Sequence, residues 1–203
     1  MTSEEAEQQI HTLNQQVAEL EDQGKSAEAL ELARRVYERA CRVLGDNHPE
    51  TATTMNRMGS LLHDLGDVAG ARSCLEQALN VRRQVLGDDH PDTAASLDGM
   101  GWLLENMGEL DEALPYLEHA LAIRHSLLGD DHTDTATTLC HMGWLLRDMG
   151  NLAEAQPYLE KAWKIRRCVL GEEHADSASS LYYRSCPAMF AVLSSYFVTS
   201  LFS

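Results

Sequence analysis

Basic residues are scarce in this chain. Its 203 residues include 16 Lys+Arg against 32 Asp+Glu, a formal charge of −16 at pH 7. A chain that acidic repels phosphate backbones, which excludes general nucleic-acid binding. Cysteine is scarce too: there are five, an odd number, with no C-x-x-C pair. That pattern argues against a disulfide framework or a zinc ribbon and fits a reducing, cytoplasmic compartment. There is no phosphate loop, no G-x-S-x-G, no H-E-x-x-H and no Gly-rich strand–helix turn. No catalytic constellation is therefore expected, no cofactor or metal is implied, and the chain does not read as an enzyme. The opening Met1-Thr2-Ser3-Glu4-Glu5 is acidic and polar, unlike a secretory signal or a transit peptide. Apolar residues at 44% and charged residues at 24% are ordinary for a soluble folded chain.

What the sequence does have is a period. Gly45, Gly87, Gly129 and Gly171 are 42 residues apart, and Gly24, Gly66, Gly108 and Gly150 form a second series with the same step. Residues 87–128 laid over 129–170 match at 26 of 42 positions. Each unit reads as two helices. In 91–128, Pro91 suits a first helical position and Asp92 the positive end of the dipole. Leu97, Met100, Gly101 and Leu104 then recur at i, i+3, i+4 and i+7 as one apolar stripe. Gly108 supplies the left-handed residue that ends this helix. A second helix follows from about Asp111, with Leu114, Leu117 and Leu121 on its buried face and Pro115 expected near its first turn. Neither helix can bury its apolar face alone, so the pairs are expected to stack as a solenoid. Four pairs are expected, near 4–22 and 26–44, 50–65 and 68–86, 92–107 and 110–128, 134–149 and 152–170. The repeats then run about 4–45, 46–87, 88–129 and 130–171, with a partial fifth over 172–183 that begins a helix at Asp176, keeps Leu181 in frame and breaks off.

These residues resemble the tetratricopeptide repeat (TPR). Gly59, Gly101 and Gly143 match that family's small residue in the first helix. Ala71/Ala78, Ala113/Ala120 and Ala155/Ala162 match its two alanines in the second. The first unit departs, with Val17, and with Ala29 and Val36. The 42-residue step, the Gly-Asp-Asp-His-Pro-Asp-Thr-Ala loop and the Glu-Ala-x-Pro-Tyr-Leu-Glu helix look more narrowly like the kinesin light chain type of repeat, over about residues 4–183. The resemblance implies an all-α, right-handed superhelical solenoid whose first helices line a concave groove for a peptide or helix.

The helical register offers its own check. Ala95, Asp98, Trp102, Glu105 and Asn106 cluster about 140° from the core stripe of their helix. The same register gives Thr137, Cys140, Trp144, Arg147 and Asp148 in the fourth unit. It gives Thr53, Asn56, Ser60, His63 and Asp64 in the second, and His11, Asn14, Ala18, Glu21 and Asp22 in the first. Trp102 and Trp144 can be read as ring anchors for a bound segment, or as packing against a neighbouring first helix, and one ring can do both. In kinesin light chains, asparagines on the inner helices hold the peptide backbone; Asn14 and Asn56 stand at such positions, and Asp98 and Cys140 replace them further on. The peptide-groove residues expected are Asn14, Asn56, His63, Asp98, Trp102, Glu105, Trp144 and Arg147. Acidic residues outnumber basic ones on this face, so a neutral or basic, apolar protein or peptide ligand is expected.

Other features read as structural. His48, His90, His132 and His174 recur one per repeat. Zinc needs ligands about 2 Å from one ion, whereas stacked helices lie roughly 8–10 Å apart, so these loop histidines are expected to brace helix starts. Arg82, Arg83, Arg124, Arg166 and Arg167 recur near second-helix ends, where dipole compensation and local ion pairs are expected. Ile10, Leu13, Val17 and Leu20 keep heptad spacing for under three heptads, short of a coiled coil.

Residues 184–203 form a hydrophobic tail, uncharged from Ser185 onward. Three readings stand: a cap on the last repeat, the truncated end of a longer array, or a membrane anchor. The anchor ranks last, because the segment holds six Ser/Thr and one basic flank, Arg184. The function expected is a non-catalytic protein–protein interaction scaffold. The alternatives are a kinesin light chain-like motor-cargo adaptor subunit, or a sensor fragment of a larger signalling ATPase. Neither the oligomeric state nor the partner's identity is legible.

Overall fold

The computed structural model describes residues 2–170. All regular structure among them is helical: α1 (Ser3–Asp22), α2 (Ser26–Val43), α3 (Pro49–Asp64), α4 (Val68–Leu86), α5 (Pro91–Asn106), α6 (Leu110–Leu128), α7 (Thr133–Asp148) and α8 (Leu152–Leu170). The fold is an all-α helical repeat. The helices begin and end within a residue of the positions expected from the repeat pattern. Pro115 is a difference: α6 begins at Leu110, so the proline lies inside the helix rather than in its first turn, and Pro157 lies inside α8 in the same way. The expected fifth helix from Asp176, His174, Cys186 and the 184–203 tail lie outside the described residues. Two compact units divide within α5, one up to Leu103 and the other from Leu104.

Each glycine series has its own task. The shorter connections use a glycine at positive φ with a six-to-one backbone bond behind it: Gly66 has φ of 85°, and the Asp67 N–H reaches back to the Leu62 carbonyl at 2.8 Å. This ends the first helix of a repeat and satisfies its last carbonyls. The longer connection is a closed loop. Gly87 takes φ of 89°, and its carbonyl accepts a hydrogen bond from Thr93 Oγ1 at 2.8 Å. Thr51 donates likewise to Gly45 at 2.9 Å and Thr135 to Gly129 at 2.9 Å. All three threonines are fully buried.

The loop histidines cap the next helix. Nδ1 of His48 accepts from the Glu50 N–H, that of His90 from Asp92 and that of His132 from Asp134. An imidazole nitrogen here does what Ser or Asp does at an ordinary N-cap, which requires Nδ1 to carry no proton.

Within the first unit, α3 and α4 approach closely at Gly59. A Cβ there would lie 2.6 Å from Leu75 Cγ and 3.3 Å from the Ala71 carbonyl oxygen. In the second unit, Gly143 meets Leu159 and the Ala155 carbonyl at the same distances. The alanines of the repeat signature are the surfaces approached: Ala71, Ala78, Ala155 and Ala162 are fully buried.

The arginines near second-helix ends differ from expectation. Arg83 does form a local ion pair, with Asp88 at 3.1 Å. Arg82, Arg124 and Arg166 are instead 3–7% exposed. Arg82 of α4 donates to Thr53 Oγ1 of α3 at 2.9 Å, and to the Asp92 carbonyl and Ser96 Oγ of α5, both at 2.8 Å. One guanidinium thus ties three helices of the first unit. In the second unit Arg124 of α6 donates to the Asp134 carbonyl of α7 at 2.9 Å and to Thr138 Oγ1. A guanidinium spreads five donors over three nitrogens and so reaches acceptors on separate helices, whereas a lysine's three donors share one nitrogen. The first repeat carries Ala40 at the equivalent position.

A polar cavity in the first unit

The first repeat compensates with side chains on α1. Asn14 is 2% exposed. Its Nδ2 donates to Glu50 Oε2 at 2.9 Å and to the Glu50 carbonyl at 3.3 Å, and its Oδ1 accepts from Thr54 Oγ1 at 2.8 Å. His11 Nδ1 reaches Glu50 Oε1 at 3.0 Å, and Arg57 of α3 pairs with Glu21 of α1 at 2.7 Å. Both functions of the Asn14 amide are therefore used in joining α1 to α3.

Above these bridges lies a cavity of about 490 Å³. Its wall includes His11, Asn14 and Glu21 from α1, Thr53, Asn56 and Ser60 from α3, and Ala95 from α5. All seven belong to the face placed opposite the core stripe by helical register. Gln15, Glu50, Arg57, Arg82 and Asp92 also line it. The register argument missed these five, because they come from the flanks of α1 and α3, from the starts of α3 and α5 and from the end of α4. They bring two guanidinium groups and two carboxyl groups into a wall that the face residues alone make acidic. Burial raises the Glu21 carboxyl, and the Arg57 cation opposes that rise. Burial lowers the Arg82 guanidinium, against the opposing pull of Asp92 and Glu50.

His63 and Trp102 meet in the first unit as an edge-on pair, with centroids 4.3 Å apart and planes at 65°. Asp98 is 5% exposed.

In the second unit, Trp144 is half-buried against a core cluster of Ala136, Leu139, Cys140, Ala162 and Ile165, with the His141 ring 5.4 Å away. Arg147 Nε donates to Asp148 Oδ1 at 2.7 Å. Beside them burial pushes the Glu105 carboxyl up to about 7. Asp148 adds to the rise by charge and by a hydrogen bond, and His141 and Arg147 oppose it. A carboxyl whose folded pKa lies above its unfolded value stabilises the fold at acid pH, and that contribution is lost as pH rises from about 4.5 through about 7. Glu105→Gln removes the ionisation. The variant is expected to be more stable than the parent at pH 8 by about 1–2 kcal/mol, after allowance for screening at a part-exposed site, and equal to it at pH 4. Urea unfolding at the two pH values measures the difference.

The four cysteines among the described residues are free. Burial raises Cys41 and Cys74, which disfavours the reactive thiolate. No described helix is long and apolar enough to cross a membrane.

The family model of the tetratricopeptide repeat matches residues 9–69, 50–124 and 103–167. The chain belongs to the tetratricopeptide repeat family. Among solved structures it is similar to the kinesin light chain-like, nearly identical TPR-like repeats from Podosopora anserina. These are 22% identical, with 86% of this chain and 82% of that chain covered at a TM-score of 0.66. It is similar to BtubC (BKLC) from P. vanneervenii, 20% identical over 80% of this chain at a TM-score of 0.65, and it spans 65% of BtubC's length. It is also similar to MamA from Desulfovibrio magneticus, 20% identical over 88% of this chain and 92% of that one at a TM-score of 0.51. These likenesses establish the fold, an all-α TPR-like helical repeat. A search of the curated proteins returned no match.

Proposed function

We propose that the chain is a non-catalytic protein-interaction scaffold that holds an extended peptide segment in the first-unit cavity. One observation carries this reading: the second faces of three first helices line a single cavity of about 490 Å³. A helix pair that only needed to bury its core stripe would not require polar side chains gathered on one concave wall. Asn56 and Ser60 supply polar contacts there, and the Trp102–His63 pair on α5 and α3 offers an aromatic surface for an apolar residue of the segment. Glu105, Trp144 and Arg147 are proposed as a separate contact patch of the second unit. The setting is proposed to be the cytoplasm, in keeping with the free thiols among the described residues.

The test is selection of random displayed peptides on the full chain, followed by affinity measurement on the selected sequences. Ser60→Arg puts a long side chain into the cavity, and Trp102→Ala removes the aromatic surface. Each is expected to weaken binding at least about tenfold, the loss of one well-placed contact or more, with helicity unchanged by circular dichroism. Affinity unmoved by Ser60→Arg in a folded chain overturns the cavity reading.

A further inference from the structure

The second unit has a largely apolar recess of about 230 Å³ between α6, α7 and α8, with Leu121, Leu139, Pro157 and Tyr158 in its wall beside His125 and Lys161. Its size suits one side chain and falls short of the roughly 300–1,000 Å³ of a small-molecule site. The repeat itself shows what such a recess holds. Two repeats earlier, Tyr37 stands at the position of Leu121. Tyr37 packs against Ala52, Met55, Ala78 and Val81, the counterparts of the Ala136, Leu139, Ala162 and Ile165 against which Leu121 packs. The Tyr37 O–H donates to the Cys41 thiol, and that thiol donates to the Asp46 carboxylate. In the second unit His125 and Asp130 take the positions of Cys41 and Asp46, and they too are in contact, with Nε2 2.7 Å from Oδ1. The surrounding side chains grow as the central one shrinks: Ser73, Cys74 and Gln77 are replaced by Pro157, Tyr158 and Lys161. A smaller side chain among larger ones leaves the recess.

We propose that this recess takes a tyrosine side chain from a partner protein, with the ring on Leu121 and Leu139 and the hydroxyl at the His125–Asp130 pair. The first unit supplies the template, because there the chain's own Tyr37 occupies the equivalent position and bonds its hydroxyl to the equivalent side chain. The polar edge of the recess matches a phenol. Lys161 Nζ and His125 Nε2 both contact Oδ1 of Asp130, at 2.8 and 2.7 Å. Donors and an ionised acceptor thus stand together there, and a phenol hydroxyl both donates and accepts. A leucine would cover these groups without bonding them. A phenylalanine would bury its ring and gain no hydrogen bond. A lysine would have to displace Lys161 from Asp130. The proposal does not depend on the first-unit cavity, with which the recess shares no lining residue.

The test uses acetylated, amidated hexapeptide pools with one position held as Tyr, Phe, Leu or Lys, measured against the full chain by competition. Tyr pools are expected to bind about tenfold better than Leu or Lys pools, and about fivefold better than Phe pools, the worth of one hydrogen bond. Leu121→Tyr rebuilds the arrangement of the first unit. It is expected to keep its helicity and to erase the preference for Tyr, since the chain's own ring takes the space. Ser60→Arg, in the first-unit cavity, is expected to leave that preference intact. Should Leu121→Tyr fail to fold, Asp130→Ala at an exposed loop residue decides: Tyr pools falling to the level of Phe pools support the proposal, and an unchanged difference overturns it. Binding of no pool, equal binding of Tyr and Leu pools, or a Tyr preference that a folded Leu121→Tyr retains, overturns it and leaves the first-unit cavity untouched. A preference lost with Ser60→Arg belongs to that cavity and overturns it too. Self-association of the parent chain that Leu121→Tyr abolishes assigns the recess to a second copy, again against the proposal.

Discussion

Arg82→Ala is expected to lose about 3–5 kcal/mol of stability in urea unfolding. The substitution removes donors to Thr53, the Asp92 carbonyl and Ser96 at 2.8–2.9 Å and leaves those oxygens facing the space it opens. Asp92 and Glu50, which oppose the cost of burying the cation, lose their counter-charge. Removing a donor shared by several acceptors costs more than losing an exposed ion pair, because the fully buried Ser96 hydroxyl is left without that donor. Arg82→Met separates the two contributions. It refills most of the volume, so the part of the loss it does not restore belongs to the hydrogen bonds. Arg83→Ala is the contrast, since its partner Asp88 is 65% exposed at the side chain and its loss is expected below about 1 kcal/mol. Equal effects at the two positions would show that the guanidinium of Arg82 does not join the three helices.

The second large effect lies at a glycine, and its sign is informative. Replacing glycine by alanine inside a helix ordinarily stabilises by up to about 1 kcal/mol, because the backbone loses less freedom on folding. Gly99→Ala is expected to follow that rule, as the new Cβ would make an ordinary contact at 3.4 Å with Leu75 Cδ2. Gly59→Ala is expected to do the opposite and cost about 2 kcal/mol, and Gly59→Val about 3 kcal/mol or more. The Cβ would stand 2.6 Å from Leu75 Cγ, on a fully buried side chain with nowhere to move, and 3.3 Å from a backbone oxygen. The helices α3 and α4 must part to admit it. Thermal unfolding of the three variants gives the ranking directly, and a stabilised Gly59→Ala would mean that the close approach of α3 and α4 is not required.

Much of the fold could be read from the sequence, because the period repeats every local signal. Gly66 ending α3, Pro49 opening it and Gly59 facing α4 each rest on a short-range rule, and the 42-residue step supplies each rule several times over. The polar face was legible for the same reason: helical register alone puts His11, Asn14, Glu21, Thr53, Asn56 and Ser60 opposite the core stripe. Register does not say what a side chain meets. Asn14 and Asn56 occupy equivalent positions, yet the Asn14 amide is fully used on Glu50 and Thr54, while Asn56 Oδ1 has no partner. Their difference comes from the helix that each one faces. The arginines make the same point. A cation near a helix end suggests dipole compensation, and only the packed structure shows Arg82 buried among three helices.

The sequence by itself determined the helix pairs, their ends and the family, since those depend on backbone conformation and apolar spacing within a few dozen residues. Tertiary structure alone decided which polar groups are paired and which are not. It also decided that two arginines from outside the polar face stand in the cavity wall. Hydrogen-bond partners and desolvation depend on atoms brought together from 10 to 40 residues apart, and no local pattern encodes that distance.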